Sequence, residues 1–216
     1  NIFLHDTNLA LAAADAALVL VDGVAGVEVQ TEKTWSFADE FGLPRAIVIN
    51  RLDRERSSFE RALESVHQVF GRAAVPIQIP IGSERDFKGV IDLIHMRAYL
   101  YKADGDGKAG ESEIPADMAE AAQAAHEVLV EAVAEGKDDL MEEFFETGTL
   151  PADHIVEGLR VELAERRIFP VLCASALRNI GTDRVLDFCD AYFPNAVERG
   201  VAHGTKDGQA VDRKVA

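Results

Sequence analysis

The chain has 216 residues and 48% of them are hydrophobic, which is enough for the core of one large domain or of a domain with an inserted subdomain. The net charge is −16. The sequence contains no run of about 18 apolar residues, which a membrane-spanning helix would need, and its first residues do not resemble a signal peptide. These features favour a cytoplasmic protein and argue against a membrane protein and against direct binding of DNA. Cys173 and Cys189 fall in a predicted strand and a predicted helix, so we expect reduced, buried thiols and no zinc site.

The first third of the chain alternates between apolar runs and amphipathic segments. Continuous Val, Ile and Leu predict buried parallel strands over residues 18–22 and 46–49. Helical spacing of apolar residues predicts helices over residues 31–41 and 58–70. This alternation of strand and helix is typical of an α/β protein with a parallel sheet.

The middle of the chain differs, because acidic and Ala-rich helices follow short strands. Its predicted elements are strands over residues 75–81 and 97–101, a loop over 103–110, and helices over 115–135, 138–145 and 152–165. A strand over residues 169–174 follows, and then a helix that includes Cys189. Beyond Pro194 the pattern fades, so residues 195–216 are expected to form a linker or the start of another domain.

The strand over residues 46–49 ends in Asn50-Arg51-Leu52-Asp53, and Asn-x-x-Asp is the spacing of a guanine-reading loop. In an open α/β sheet, ligands bind just past the carboxyl ends of the strands, which is where Asn50 and Asp53 would lie. A carboxylate there can accept hydrogen bonds from the ring N–H and the amine of guanine, each contributing roughly 1.5–3 kcal/mol, whereas adenine presents an acceptor. The simpler alternative is that both side chains only cap a turn and the next helix.

A second turn, Ser175-Ala176-Leu177, follows the strand over residues 169–174. Its small residues let the backbone approach a flat ring closely, and an N–H group there could reach the guanine carbonyl oxygen. Alone, a Ser-Ala pair after a strand is an ordinary helix start. Together with the Asn-x-x-Asp loop, in the right order along the chain, it forms the second half of a guanine pocket.

Several further segments carry a resemblance to a known family. They are residues 24–32 (Val-Ala-Gly-Val-Glu-Val-Gln-Thr-Glu), Trp35, 42–45 (Gly-Leu-Pro-Arg), 75–82 (Val-Pro-Ile-Gln-Ile-Pro-Ile-Gly), 87–93 (Phe-Lys-Gly-Val-Ile-Asp-Leu) and 170–181. Through them, and over about residues 9–194, the chain resembles the GTPase domain of bacterial elongation factor G and its paralogues. The stretch 76–93 is the most diagnostic, because it is similar to an insertion that the family carries between its two guanine-reading motifs and that small GTPases lack.

The resemblance implies an α/β fold, a P-loop GTPase-type doubly wound sheet with an inserted α+β subdomain. It divides the chain into a GTPase domain over residues 1–72 and 166–194, an inserted subdomain over 73–165, and the linker or next-domain segment over 195–216. It also implies a guanine site formed by Asn50, Arg51, Asp53, Ser175, Ala176 and Leu177. Arg51 departs from the family, which usually has a lysine whose stem lies over the base. Arg51 could replace that lysine, because an arginine can also stack on a base face. The alternative is that Arg51 is simply an exposed loop residue with no role in the site.

By the same resemblance, the full-length protein would bind GTP or GDP with Mg²⁺ and couple hydrolysis to a step on the ribosome, most readily translocation. Ribosome recycling and ribosome protection are alternatives within that class, and a GTPase-like scaffold that hydrolyses nothing is an alternative from another class. The sequence contains no Gly-rich loop that ends in Lys-Ser/Thr. Either the phosphate loop and switches lie outside this numbering, or the protein has lost the phosphate half of the site.

The family's Asp-Thr-Pro-Gly-His segment has only Asp6-Thr7-Asn8 as a counterpart. Asp6 lies too close to Asp15 for the helix that usually intervenes, so Asp6-Thr7 is either the magnesium-side pair or an accidental match. His5 precedes Asp6 and is in the wrong place for the family's catalytic histidine. No catalytic residue and no metal ligand are therefore assigned in this chain.

Residues 111–146 hold twelve acidic residues and one basic residue, Lys137, a net charge of −11. Such a run is most simply a solvated helix face, and the Ala-rich spacing of the same segment supports that interpretation. The functional alternative is a docking surface for a basic partner. In the family that the chain resembles, this insertion meets the ribosomal stalk protein. The acidic segment cannot neutralise phosphates, so we do not expect it to bind RNA by itself.

Overall fold

The computed structural model of the protein describes residues 3–102, 105–206 and 209–214. Its strands are, in chain order, Ala17–Asp22 (β1), Arg45–Asn50 (β2), Ala74–Pro76 (β3), Gln78–Ile81 (β4), Gly89–Asp92 (β5), Arg97–Leu100 (β6), Gly110–Ser112 (β7), Phe169–Cys173 (β8), Val201–Lys206 (β9) and Gln209–Lys214 (β10). Its α-helices are Leu4–Ala12 (α1), Val29–Glu40 (α2), Phe59–Phe70 (α3), Ala119–Ala134 (α4), Asp138–Thr147 (α5), Ala152–Ala164 (α6), Thr182–Tyr192 (α7) and Ala196–Arg199 (α8). Within these ranges, no helix has the length and apolar character needed to cross a membrane.

Four strands form a parallel sheet in the order β1, β2, β8, β3. Alternate residues of β2 point into two different cores. Ile47 and Ile49 pack with side chains of α2 and α3, whereas Ala46 and Val48 pack with side chains of α4 and α6. The sheet is therefore covered on both faces, which explains why β2 reads as a continuous apolar run.

A separate antiparallel sheet contains β4, β5, β6 and β7 in that order. Apolar residues of this sheet, including Ile91 and Ala98, share a core with Leu129 of α4 and Leu159 of α6. The same core reaches Leu172 of β8, so the helices bridge the two sheets. A parallel sheet with a separate antiparallel unit between two of its strands confirms the predicted fold class.

The strand predicted over residues 75–81 is in fact two strands in two sheets. β3 pairs with β8 in the parallel sheet, and β4 pairs with β5 in the antiparallel sheet. Ile77 lies between them and donates its N–H to the Val171 carbonyl at 3.0 Å. Apolar alternation continues through both strands, so periodicity gave no sign of the break. We propose that the inserted subdomain begins after Pro76 rather than at residue 73, with the other boundaries as predicted.

The two ends of the chain contain elements that the sequence pattern did not indicate. α1 spans Leu4–Ala12, which includes Asp6 and Thr7. Beyond Pro194 the short helix α8 is followed by β9 and β10, which pair as an antiparallel hairpin. Both thiols are free, with Cys173 buried and Cys189 half-buried.

Candidate functional site

The carboxyl ends of three parallel strands meet at one edge of the sheet. The register aligns Asp22 at the end of β1 with Asn50 at the end of β2, and Ile49 of β2 with Cys173 at the end of β8. The loops that follow these strands therefore leave the sheet side by side. This is the position at which open α/β sheets bind ligands.

Asn50 ties the three loops together. Its Oδ1 accepts hydrogen bonds from the N–H of Arg51 at 2.7 Å and from the N–H of Ala176 at 3.0 Å. Its main-chain carbonyl accepts a third hydrogen bond, from the N–H of Gly23 at 2.8 Å. Asn50 therefore does more than cap its own turn, because it also fixes the loop after β8, 126 residues further along the chain.

Asp53 is oriented by the loop after β8. Its Oδ1 accepts a hydrogen bond from the Ser175 hydroxyl at 2.6 Å, and Ser175 is completely buried. Ser175 is itself held by a pair of main-chain hydrogen bonds with Ile180, of 2.9 and 3.0 Å. A carboxylate has room for several further donors, so Asp53 can still accept the paired N–H groups of a guanine edge.

Arg51 bridges the loops after β1 and β2. It has a positive φ of 63°, and its Nη1 lies 2.6 Å from Oδ2 of Asp22. Asp22 also accepts main-chain hydrogen bonds from Val24 at 2.8 Å and Ala25 at 3.3 Å. Burial would raise the pKa of Asp22, but these hydrogen bonds and the Arg51 guanidinium outweigh it and hold the pKa below its ordinary value. Asp22 is therefore a stable anion at neutral pH.

A cleft of about 210 Å³ opens beside this ion pair at the ends of β1 and β2. It is lined by Leu20, Val21, Asp22, Gly26, Glu28, Thr31, Asn50 and Arg51. Asp22 was not among the predicted site residues. Its position could have indicated it, since Asp22 is the last residue of one predicted strand and Asn50 directly follows the next.

The structure brings most of the predicted site residues into one network but leaves Leu177 out of it. Asn50, Asp53 and Ser175 contribute side chains, and Ala176 contributes its N–H group. The Leu177 side chain is 88% exposed. It offers an apolar surface beside the loop rather than a contact within the network.

Asp6 and Thr7 are placed inside helix α1, not after a strand. The Thr7 hydroxyl donates to the Phe3 carbonyl at 2.9 Å within that helix. This geometry does not suit the magnesium-side pair that was one interpretation of the sequence. Across the described ranges, no group of three or more His, Cys, Asp or Glu side chains is arranged to hold a metal ion.

Comparison with known proteins identifies the family. Residues 1–195 match the model of the family described as "Elongation factor Tu GTP binding domain". The chain belongs to this family of translational GTPase domains. The fold of this GTPase domain is also similar to a crystal structure of a protein from Thermus thermophilus, with a TM-score of 0.82 and 31% sequence identity. That match covers 94% of this chain and 30% of the Thermus chain, so this chain spans about a third of the length of its relative.

The position of Asp53 predicts a change of base preference on mutation. Asp53→Asn should weaken GDP binding by about ten- to a hundredfold and favour XDP, because an amide can donate to the additional carbonyl of xanthine. Titration of the full-length gene product with GDP and XDP measures this, since phosphate contacts also contribute to affinity. Asp117→Asn changes an exposed carboxylate in the insertion and is the matched control. An unchanged preference for GDP in Asp53→Asn would show that Asp53 does not face the base.

Proposed function

We propose that this chain forms the guanine-reading half of a translational GTPase of the elongation factor G type. In the full-length protein, GTP binding and hydrolysis would drive a conformational step on the ribosome, with translocation as the specific step. Family membership supports a GTPase domain that acts in translation. Assignment to the elongation factor G type goes beyond family membership and is our proposal.

The observation that carries the proposal is the joining of two loops 122 residues apart into one network. Ser175 donates to Asp53 at 2.6 Å, and Ala176 donates to Asn50 at 3.0 Å. These contacts fix a carboxylate and a set of small residues at the carboxyl edge of the sheet. A carboxylate that is already oriented can favour guanine over adenine, because adenine would leave it facing a lone pair.

The position of the insertion supports the elongation factor G type. The antiparallel sheet and helices α4 to α6 lie between the two guanine-reading loops in the chain. Their place matches the insertion in the family that the sequence resembles. We propose that Arg51 takes the role of that family's lysine, with its stem over the base and its guanidinium held by Asp22.

We further propose that the acidic insertion is the docking surface for the ribosomal stalk protein. Exposed glutamates lie on α4 and α5 or just beyond them, among them Glu131, Glu135 and Glu142. Glu143 differs from them, because it pairs with His154 at 2.7 Å across to α6. A partner with basic residues would meet the exposed set, whereas Glu143 has a structural contact of its own.

Ribosome-stimulated turnover tests the function as a whole. We expect GTP hydrolysis by the full-length gene product to rise on the order of a hundredfold or more with ribosomes, since completing the contacts of a GTPase transition state is worth at least that much. A translocase should also move a pre-translocation ribosome along its messenger by one codon in a toeprint assay. Subunit splitting without that movement would favour a recycling factor. Nucleotide binding with no hydrolysis would favour the scaffold.

The acidic surface predicts a salt-dependent change in association rate. Replacing Glu131, Glu135 and Glu142 by Gln should slow ribosome association by about two- to fivefold at low salt and have little effect at high salt. Stopped-flow association at two salt concentrations measures this, and nucleotide affinity should not change. The matched control replaces the exposed Glu32, Glu40 and Glu64 by Gln, which removes the same charge from α2 and α3. Equal slowing in both variants would mean that only net charge matters, and the stalk assignment would then fail.

A further inference from the structure

The loop over residues 175–181, which follows β8, is held against the insertion by two sets of contacts, which we call grips. Arg178 makes the first of them. The Arg178 Nη1 donates to the carbonyls of Arg85 at 2.9 Å and Phe87 at 3.2 Å. Both carbonyls belong to the connection between β4 and β5, which lies in the insertion. The main-chain N–H of Arg178 donates to the Ser175 hydroxyl at 3.2 Å. Arg178 therefore links the insertion directly to the residue that orients Asp53.

A second grip lies at the other end of the same loop. Asp183, in the first turn of α7, accepts a hydrogen bond from the Tyr101 hydroxyl at 2.5 Å and another from the Ala109 N–H at 3.2 Å. Tyr101 and Ala109 are the first and last residues of the connection between β6 and β7 in the insertion. Gly107 in that connection has a φ of 78°, and a Cβ there would overlap the amide of Asn179. The insertion and the 175–181 loop are thus in close contact at two separate places.

The Tyr101 contact persists across the physiological pH range. Burial raises the pKa of the Tyr101 hydroxyl, and the hydrogen bond to Asp183 raises it further. The hydroxyl therefore stays protonated and remains a donor to the carboxylate. Hydrogen bonds to a charged acceptor are stronger than those between neutral groups, which suits a contact that must hold a loop in place.

The loop that these contacts hold also carries the donors to the base-reading side chains. Ser175 and Ala176, at the start of the loop, make the hydrogen bonds to Asp53 and Asn50, and the Ser175 hydroxyl also accepts from the Arg178 N–H. A small shift of the insertion would therefore move the donor that orients Asp53. Because hydrogen bonds weaken steeply with distance and angle, a shift of this kind changes how well the carboxylate meets a base.

We propose that Arg178 and Tyr101 are positioning residues through which the insertion determines how tightly the 175–181 loop binds guanine. The insertion would thereby control how fast the nucleotide is released. The inference rests on the proposed function, in that the loop must bind guanine. It goes beyond that function by giving the insertion a role in nucleotide release, in addition to docking. A partner that displaces the insertion would then alter nucleotide release without touching the nucleotide.

The test compares two variants that weaken the grips with a matched control. Tyr101→Phe removes only the hydroxyl, and Arg178→Met removes the guanidinium but keeps an unbranched stem. Arg160→Met is the control, because Arg160 also donates to a main-chain carbonyl, that of Ala191 at 2.6 Å, but on α7 away from the loop. Release of fluorescent GDP and the relative affinities for GDP and IDP are measured on the full-length gene product, with thermal unfolding as a check on folding.

We expect release to be about three- to tenfold faster in both grip variants, and the preference for GDP over IDP to fall about threefold or more. IDP lacks the exocyclic amine, so this ratio reports how well Asp53 is oriented and would not change through a loss of stability alone. Arg160→Met should match the wild type in both measurements. If Arg178→Met does not fold, Tyr101→Phe alone decides the outcome.

Different results would overturn the proposed function and the positioning role of Arg178 and Tyr101. A wild-type protein that binds no guanine nucleotide would overturn the proposed function and the positioning role together. A wild type that binds GDP, with grip variants that keep its release rate and its base preference, would overturn only the positioning role. Equal acceleration in Arg160→Met would also overturn it, because the effect would then be a general loosening of the fold.

Discussion

The hydrogen bonds from Ser175 to Asp53 and from Ala176 to Asn50 are the interactions on which the site depends. They require the loops after β2 and β8 to leave the sheet side by side, and this happens because the two strands are parallel neighbours in a fixed register. A shift of one residue in that register would turn every side chain of a strand to the opposite face. The apolar residues of β2, which alternate between two cores, hold the register in place.

The same requirement limits how the insertion can be accommodated. The chain must leave the parallel sheet, build a second sheet and three helices, and return to β8 with its register intact. It does so by leaving from β3, the strand that lies directly beside β8. Ile77 donates to Val171, and the Gln78 side chain accepts from the Cys173 N–H at 3.3 Å. The insertion is therefore anchored to β8 at its start.

The sequence predicted the parts of the site that depend on local order along the chain. Asn50 and Ser175 each follow a continuous apolar run, and the end of a buried parallel strand is where such residues gather. Contacts between segments that are far apart in the chain could not be predicted from the sequence. The Arg51–Asp22 ion pair depends on the register of β1 against β2, which no local pattern encodes. The contacts of Arg178 with the insertion are long-range in the same sense.

Arg45 shows why burial can also escape a sequence pattern. It begins β2 and is completely buried, although an arginine there would ordinarily be expected at the surface. Its guanidinium lies 4.4 Å from the Trp35 ring centroid and 5.0 Å from that of Phe169, and it donates to the Trp35 carbonyl at 2.9 Å. Burial lowers the pKa of Arg45, and its ion pair with Asp39 opposes that shift. The residues that make this burial possible are distant in the sequence or lie on a neighbouring helix.

We propose that the edge formed by β1, β2 and β8 recognises guanine. The most direct measurement is competition of unlabelled GDP and ADP against fluorescent GDP on the full-length gene product. A site that pairs with the guanine edge should prefer GDP by at least about a thousandfold, because adenine leaves the Asp53 carboxylate unpaired. Displacement by ADP within about tenfold of the concentration needed for GDP would contradict the account.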